Sequence, residues 1–131
     1  MITGRCECGK VTYQVDGKIS DYSHCHCGQC RRTHGAAFAS YATVQRKDFT
    51  YLTGESELKH YPSSVQHERV FCSNCGSNIM FIAEDEPSEY FITMGSIDGD
   101  PDLPTAYHIF VASKAPWYEI TDNLKQFDTN P

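Results

Sequence analysis

No apolar run in this 131-residue chain approaches the roughly 20 residues needed to cross a bilayer, so a helical membrane span is not expected. The opening stretch MITGRCECGK has no hydrophobic core segment, which argues against a secretory leader and for a cytoplasmic location. Basic residues are scarce. Eleven Lys and Arg face 17 Asp and Glu, a formal net charge of −6, and this leaves no footprint for nucleic acid. Acidic stretches such as EDEPSE (84–89) and DGDPD (98–102) carry no Lys or Arg and read as solvated loops. Internal repeats, low-complexity linkers and long amphipathic helices are all missing, so one compact domain over residues 1–131 is the economical reading. The single tryptophan, Trp117 in KAPW, is expected to be a packing anchor.

Cysteine, by contrast, is abundant, with seven residues. A chain of this size buries roughly two-thirds of its extended surface and needs no covalent staples. An odd count fits a closed disulfide framework poorly, and thiols stay reduced in a cytoplasmic setting. The cysteines form three groups: Cys6-x-Cys8, Cys25-x-Cys27-x-x-Cys30 and Cys72-x-x-Cys75-Gly. Combining Cys6 and Cys8 with Cys72 and Cys75 gives four thiolates, the closed tetrahedral set of structural zinc. Cys25, Cys27 and Cys30 remain as three ligands, which is the donor count of catalytic zinc with one open position. Cys27 and Cys30 could instead join Cys72 and Cys75 as a zinc ribbon, but that strands the other three cysteines. His34 could close the three-cysteine site. On a strand, His24 and His26 would face away from Cys25 and Cys27, which counts against them as ligands to the same ion. Five basic residues (Arg5, Lys10, Arg31, Arg32 and Arg69) lie within four positions of a cysteine, where they would offset thiolate charge.

The remaining pattern is β-rich. KVTYQV (10–15) alternates and is followed by the turn signal DG. AAFASYATV (36–44), FTYL (49–52), ELKHY (57–61), RVFC (69–72), NIMFIA (78–83), YFITM (90–94) and YHIFV (107–111) are further short strand candidates. The best helical candidate is one or two turns at GQCRRTH (28–34). His60 and His67 sit in polar surroundings and read as exposed, whereas His108, within an apolar run, reads as a hydrogen-bonded buried side chain.

GRCECGKVTY, HCHCGQCRRTHG, LKHYPSS, RVFCSNCGSNI, GSID and YHIFVASKAPW, in that order, resemble the motifs of the glutathione-dependent formaldehyde-activating enzyme family, which includes the centromere protein V group. The resemblance runs from Gly4 to about Phe127. It implies a mainly β fold of several coiled antiparallel sheets around zinc sites, with little helix, shared with methionine sulfoxide reductase B and the translationally controlled tumour protein. It also implies two zinc ions per chain, a structural one on Cys6, Cys8, Cys72 and Cys75 and a catalytic one on Cys25, Cys27 and Cys30. The implied activity is that of a carbon–sulfur lyase joining a small thiol, glutathione, to an aldehyde, formaldehyde, as a hemithioacetal. Arg31, Arg32 and His34 are nearest in sequence to donate to the developing alkoxide, with screening of the thiolates as the alternative role for the two arginines. A basic rim would suit the carboxylates of glutathione. A homo-oligomer is compatible with the sequence. Two rival readings are a zinc-stabilised protein-binding module presenting the acidic loops 84–102, and thiol redox chemistry, which needs a spare low-pKa cysteine that the ligand count does not leave.

Overall fold

The computed structural model describes residues 1–131. Ten strands and one short helix follow the chain as β1 (Ile2–Arg5), β2 (Thr12–Val15), β3 (Asp21–Cys25), α1 (Gly28–His34), β4 (Ala39–Gln45), β5 (Phe49–Thr53), β6 (Leu58–Ser64), β7 (His67–Cys72), β8 (Asn78–Ala83), β9 (Glu89–Thr93) and β10 (Tyr107–Ile109). A three-stranded sheet has the order β1-β2-β5, and a seven-stranded sheet has the order β10-β3-β4-β9-β8-β7-β6. Every pairing is antiparallel except β10 with β3, which is parallel. The chain is thus mainly β with little helix, as the sequence pattern and the resemblance led one to expect.

Side chains alternate across a strand with a period of two. That rule divides the large sheet cleanly. Ala42 and Val44 of β4, Val70 and Cys72 of β7, Met80 and Ile82 of β8, and Ile92 of β9 point to one side, where they pack against Val11, Tyr13 and Val15 of the small sheet. Register enforces this, with Ala42 opposite Ile92, Met80 opposite Ile92, and Val70 opposite Met80. Ile79, Ile92, Val70 and Tyr13 are fully buried. Each such aliphatic or aromatic side chain contributes about 1.5–3 kcal/mol by leaving water. The intervening residues, Tyr41, Thr43, Arg69, Phe81, Ala83 and Phe91, point to the other side and line a cavity.

Two strands are absent from the sequence expectation. β1 contains a glycine, and β3 is the polar run DYSHC, so neither shows a hydrophobic alternation. Tertiary pairing makes them strands: β3 lies between β4 and β10. Gly4 in β1 stands against the buried Tyr13, and a Cβ there would come within 2.2 Å of the Tyr13 ring and 2.6 Å of the Ser96 carbonyl oxygen. Trp117 does not act as an anchor, since it is 69% exposed. His108 is buried as expected, and His60 is exposed and paired with Glu68. His67 is only half-buried and lines the cavity.

Candidate metal centres

Cys6 and Cys8 do not continue β1. The strand ends at Arg5 and the chain turns, with the Gly9 N–H donating to the Cys6 carbonyl and the Val11 N–H donating to Cys6 Sγ at 3.3 Å. Gly9 holds φ at +79°, which the turn requires. The second turn has the same logic, with the Gly76 N–H donating to the Cys72 carbonyl and Gly76 at φ +78°. The Glu7 N–H donates to Ser77 Oγ at 2.9 Å and ties the two turns together. Their four sulfurs lie within 4.8 Å of one another, with Cys6–Cys8 at 3.6 Å and Cys8–Cys72 at 3.8 Å. Four sulfurs about 2.3 Å from a central Zn²⁺ would sit about 3.8 Å apart, so the set fits that ion closely. The Ser77 hydroxyl, 3.2 Å from Cys75 Sγ, draws the Cys75 thiol down to about 5, while burial pushes Cys72 up to about 11.

The second cluster belongs to the opposite face of the large sheet. Cys25 ends β3, Cys27 caps α1, and Cys30 lies within the first turn of the helix. Cys27 has extended backbone angles, and its sulfur accepts the Cys30 N–H at 3.3 Å. Gly35 closes the helix in the left-handed conformation, as helix ends favour. All three sulfurs lie within 4.8 Å of one another. Donation from the Cys25 and then the Cys30 thiol lowers Cys27 to about 2, whereas the proton that Cys25 commits to Cys27 pushes Cys25 far up. The cysteines therefore assemble as four plus three, and the zinc-ribbon grouping does not form.

All three sulfurs border a cavity of about 830 Å³. Arg69 was expected to offset thiolate charge near Cys72, its neighbour in sequence, but it stands instead beside Cys30. It is 5% exposed, and its Nη2 donates to Cys30 Sγ at 3.6 Å while Nη1 donates to Tyr41 Oη at 3.1 Å. Its guanidinium also stacks over Phe81, 5.1 Å from the ring centre. Desolvation works against its charge, but Tyr41 and Cys30 hold the guanidinium protonated. A signal for it was present: once Cys72 turns to the core, alternation along RVFC turns Arg69 to the other face.

His34 does not reach the three-sulfur cluster. Its Nε2 lies 3.2 Å from Tyr41 Oη, and desolvation, then the Arg69 charge, lowers it to about 4. Arg32 is exposed, and neither Arg31 nor Arg32 lines the cavity. His24 and His26 do face away from the cysteines. They pack with Phe38 and His108 behind β3, where His26 Nε2–H donates to His108 Nδ1 at 2.8 Å and His108 Nε2–H donates to Asp122 at 3.0 Å. Desolvation lowers His26 to about 4.

The fold and the two clusters define a class: a small β protein with a four-cysteine and a three-cysteine cluster, each able to hold a metal ion, on opposite faces of a shared sheet. Residues 1–113 match the profile of the glutathione-dependent formaldehyde-activating enzymes, and the chain belongs to that family. It is 23% identical over 124 residues to an uncharacterized lyase of Schizosaccharomyces pombe, covering 95% of this chain and 88% of that one. It is 26% identical over 127 residues to a protein of Halomonas elongata provisionally named for glutathione-dependent formaldehyde activation, covering 92% and 81%. A crystal structure of a Rhodobacter sphaeroides protein shares the fold at a TM-score of 0.63 and 24% identity, covering 78% of this chain and 97% of that one.

Proposed function

We infer that this chain is a zinc-dependent carbon–sulfur lyase-type enzyme that joins a thiol to a small aldehyde as a hemithioacetal. The observation that carries this is the open three-sulfur cluster at the floor of a cavity, on the sheet face opposite a closed four-sulfur cluster. Family membership supports the same reading. Zn²⁺ is the ion that suits both donor sets, two per chain. An ion on Cys25, Cys27 and Cys30 would keep one position open and deprotonate a thiol placed there.

The chain's own residues do the rest. Three thiolates on a divalent cation leave a net negative charge, and Arg69 offsets it from 3.6 Å. Tyr41 and His34 hold the inner side of the cluster through one hydrogen-bonded chain, His34 to Tyr41 to Arg69. Phe81, Phe91 and Phe110 give the cavity apolar walls. In the reaction the thiol sulfur bonds to the carbonyl carbon, the carbonyl π pair moves to oxygen, and the thiol proton ends on that oxygen. Arg69 lines the cavity and Arg31 and Arg32 do not, which supports Arg69 as the cation that would steady the oxyanion. Reduced, unpaired cysteines throughout fit a cytoplasmic setting.

Exchange between free and thiol-adducted formaldehyde, followed by NMR with glutathione or another small thiol, tests the reading. Acceleration by the zinc-loaded chain that disappears in Cys27→Ser is the expected result. Equal exchange rates for both proteins, with no thiol taken up at the metal, would favour a zinc-stabilised binding module instead.

A further inference from the structure

The thiol-binding cavity has an acidic rim. Asp21, Asp85, Glu86 and Glu89 all line it, and the cations that line it are Arg69 and, when protonated, His67. Both are already engaged. Arg69 lies at the floor, with Nη1 donating to Tyr41 and Nη2 to Cys30, and its buried Nε–H has no partner. His67 Nδ1 lies 2.7 Å from Ser64 Oγ and its Nε2 lies 3.3 Å from Asp85. Asp21 accepts the Tyr107 hydroxyl, whereas the Glu86 and Glu89 carboxylates have no hydrogen-bond or ion-pair partner in the chain. These carboxylates stand on a fixed backbone. Arg46 reaches behind the loop, donating from Nε to the Glu89 carbonyl at 2.9 Å and from Nη2 to the Ala83 carbonyl at 3.0 Å and the Glu86 carbonyl at 3.4 Å. Arg46 spends its own charge on Glu84 at 3.9 Å and does not line the cavity.

Glutathione brings two carboxylates and one ammonium. The rim offers those carboxylates no unpaired cation, since His67 stands against Asp85 and Arg69 lies deep beside Cys30, and like charges at close range disfavour binding. Phe81, Phe91, Tyr107 and Phe110 also line the cavity, and aromatic rings attract cations, as the Arg69 guanidinium over Phe81 shows. We propose that the thiol accepted here is a cationic one, an amine-bearing thiol without compensating carboxylates, whose sulfur goes to the Cys25–Cys27–Cys30 cluster and whose ammonium meets Glu86 and Glu89. The proposal rests on the thiol-joining reading above and names its substrate class.

The test uses the zinc-loaded chain, with Co²⁺ substituted as an optical probe, and three thiols: cysteamine, 2-mercaptoethanol and 3-mercaptopropionate. Dissociation constants are read from the cobalt–thiolate absorption, in the native chain and in a Glu86→Gln/Glu89→Gln variant. Neither side chain makes a hydrogen bond or ion pair, and Arg46 holds only their backbone carbonyls, so the variant keeps the loop in place. Intrinsic differences in thiol acidity cancel between the two proteins. The preference for cysteamine over 3-mercaptopropionate should fall about tenfold in the variant, with 2-mercaptoethanol unchanged, and should shrink in about 0.5 M salt. An unchanged preference in the variant, or tighter native binding of the anionic thiol after correction for thiol acidity, overturns the proposal alone. Failure of 2-mercaptoethanol to reach the metal overturns the thiol-joining reading, and the proposal with it.

Discussion

Replacing Arg69 by methionine isolates the electrostatic role of the one cation beside the open cluster. Methionine keeps an unbranched apolar stem against Phe81 and removes the guanidinium. Unit charges at the observed 3.6 Å attract by about 5 kcal/mol at an effective dielectric near 20. The charge on the loaded cluster is spread over three sulfurs, so only about a third to a half of that, roughly 1.5–2.5 kcal/mol, falls on this contact. The expected result is a loss of about 10- to 70-fold in zinc affinity at this site, the range found when groups supporting metal ligands are removed. The closed cluster lies on the other face of the sheet and should be unaffected. Competition with a chromophoric chelator reads both sites in one titration, as one shifted and one unshifted step, and the melting curve checks that the chain stays folded. Two unshifted steps in a folded variant would refute the screening argument and leave Arg69 as a packing residue. Two equally shifted steps would show that the faces are not independent.

Cys72→Ser should yield unfolded or insoluble chain, because a closed site that joins Cys6 and Cys8 to Cys72 and Cys75 can contribute on the order of 10 kcal/mol; a cooperative melt with normal zinc content would sink that assignment. Cys27→Ser should stay folded and lose about one zinc per chain, since its ligands span a short stretch and closing it costs little loop entropy; circular dichroism with metal analysis decides this. Zinc uptake at the Cys25–Cys27–Cys30 cluster should release protons and strengthen as pH rises, because the Cys25 thiol holds its proton in the metal-free chain; calorimetry in buffers of different ionisation enthalpy counts them. Gly4→Ala should cost at least about 1–3 kcal/mol in denaturant unfolding, since the new methyl meets the buried Tyr13 and the Ser96 backbone; a neutral effect would mean that β1 shifts freely.

The cysteine grouping and most strands were legible because both depend on local spacing. Cys-x-x-Cys in a glycine turn brings its sulfurs together wherever it folds, and RVFC or NIMFIA alternates whichever neighbour it meets. The helix at GQCRRTH was legible for a similar reason, being bounded by a capping cysteine and a glycine. β1 and β3 were not legible: ITGR and DYSHC have no alternation, and only their partners' backbones make them strands. The surroundings of the open cluster were equally hidden. Nearness in the chain favoured Arg31, Arg32 and His34, but one turn of helix carries the arginines away from the cavity, while β7 brings Arg69 across 39 positions to Cys30. The acidic loop read as a solvated surface until Arg46 and the register of β9 set it at the cavity mouth. Sequence alone determined the three local cysteine groups, since each lies within a few residues, whereas the joining of Cys8 to Cys72 spans 64 positions and was decided by the tertiary structure. Which charges surround them depended on strand order in the large sheet, a long-range property, and only the tertiary structure decided it.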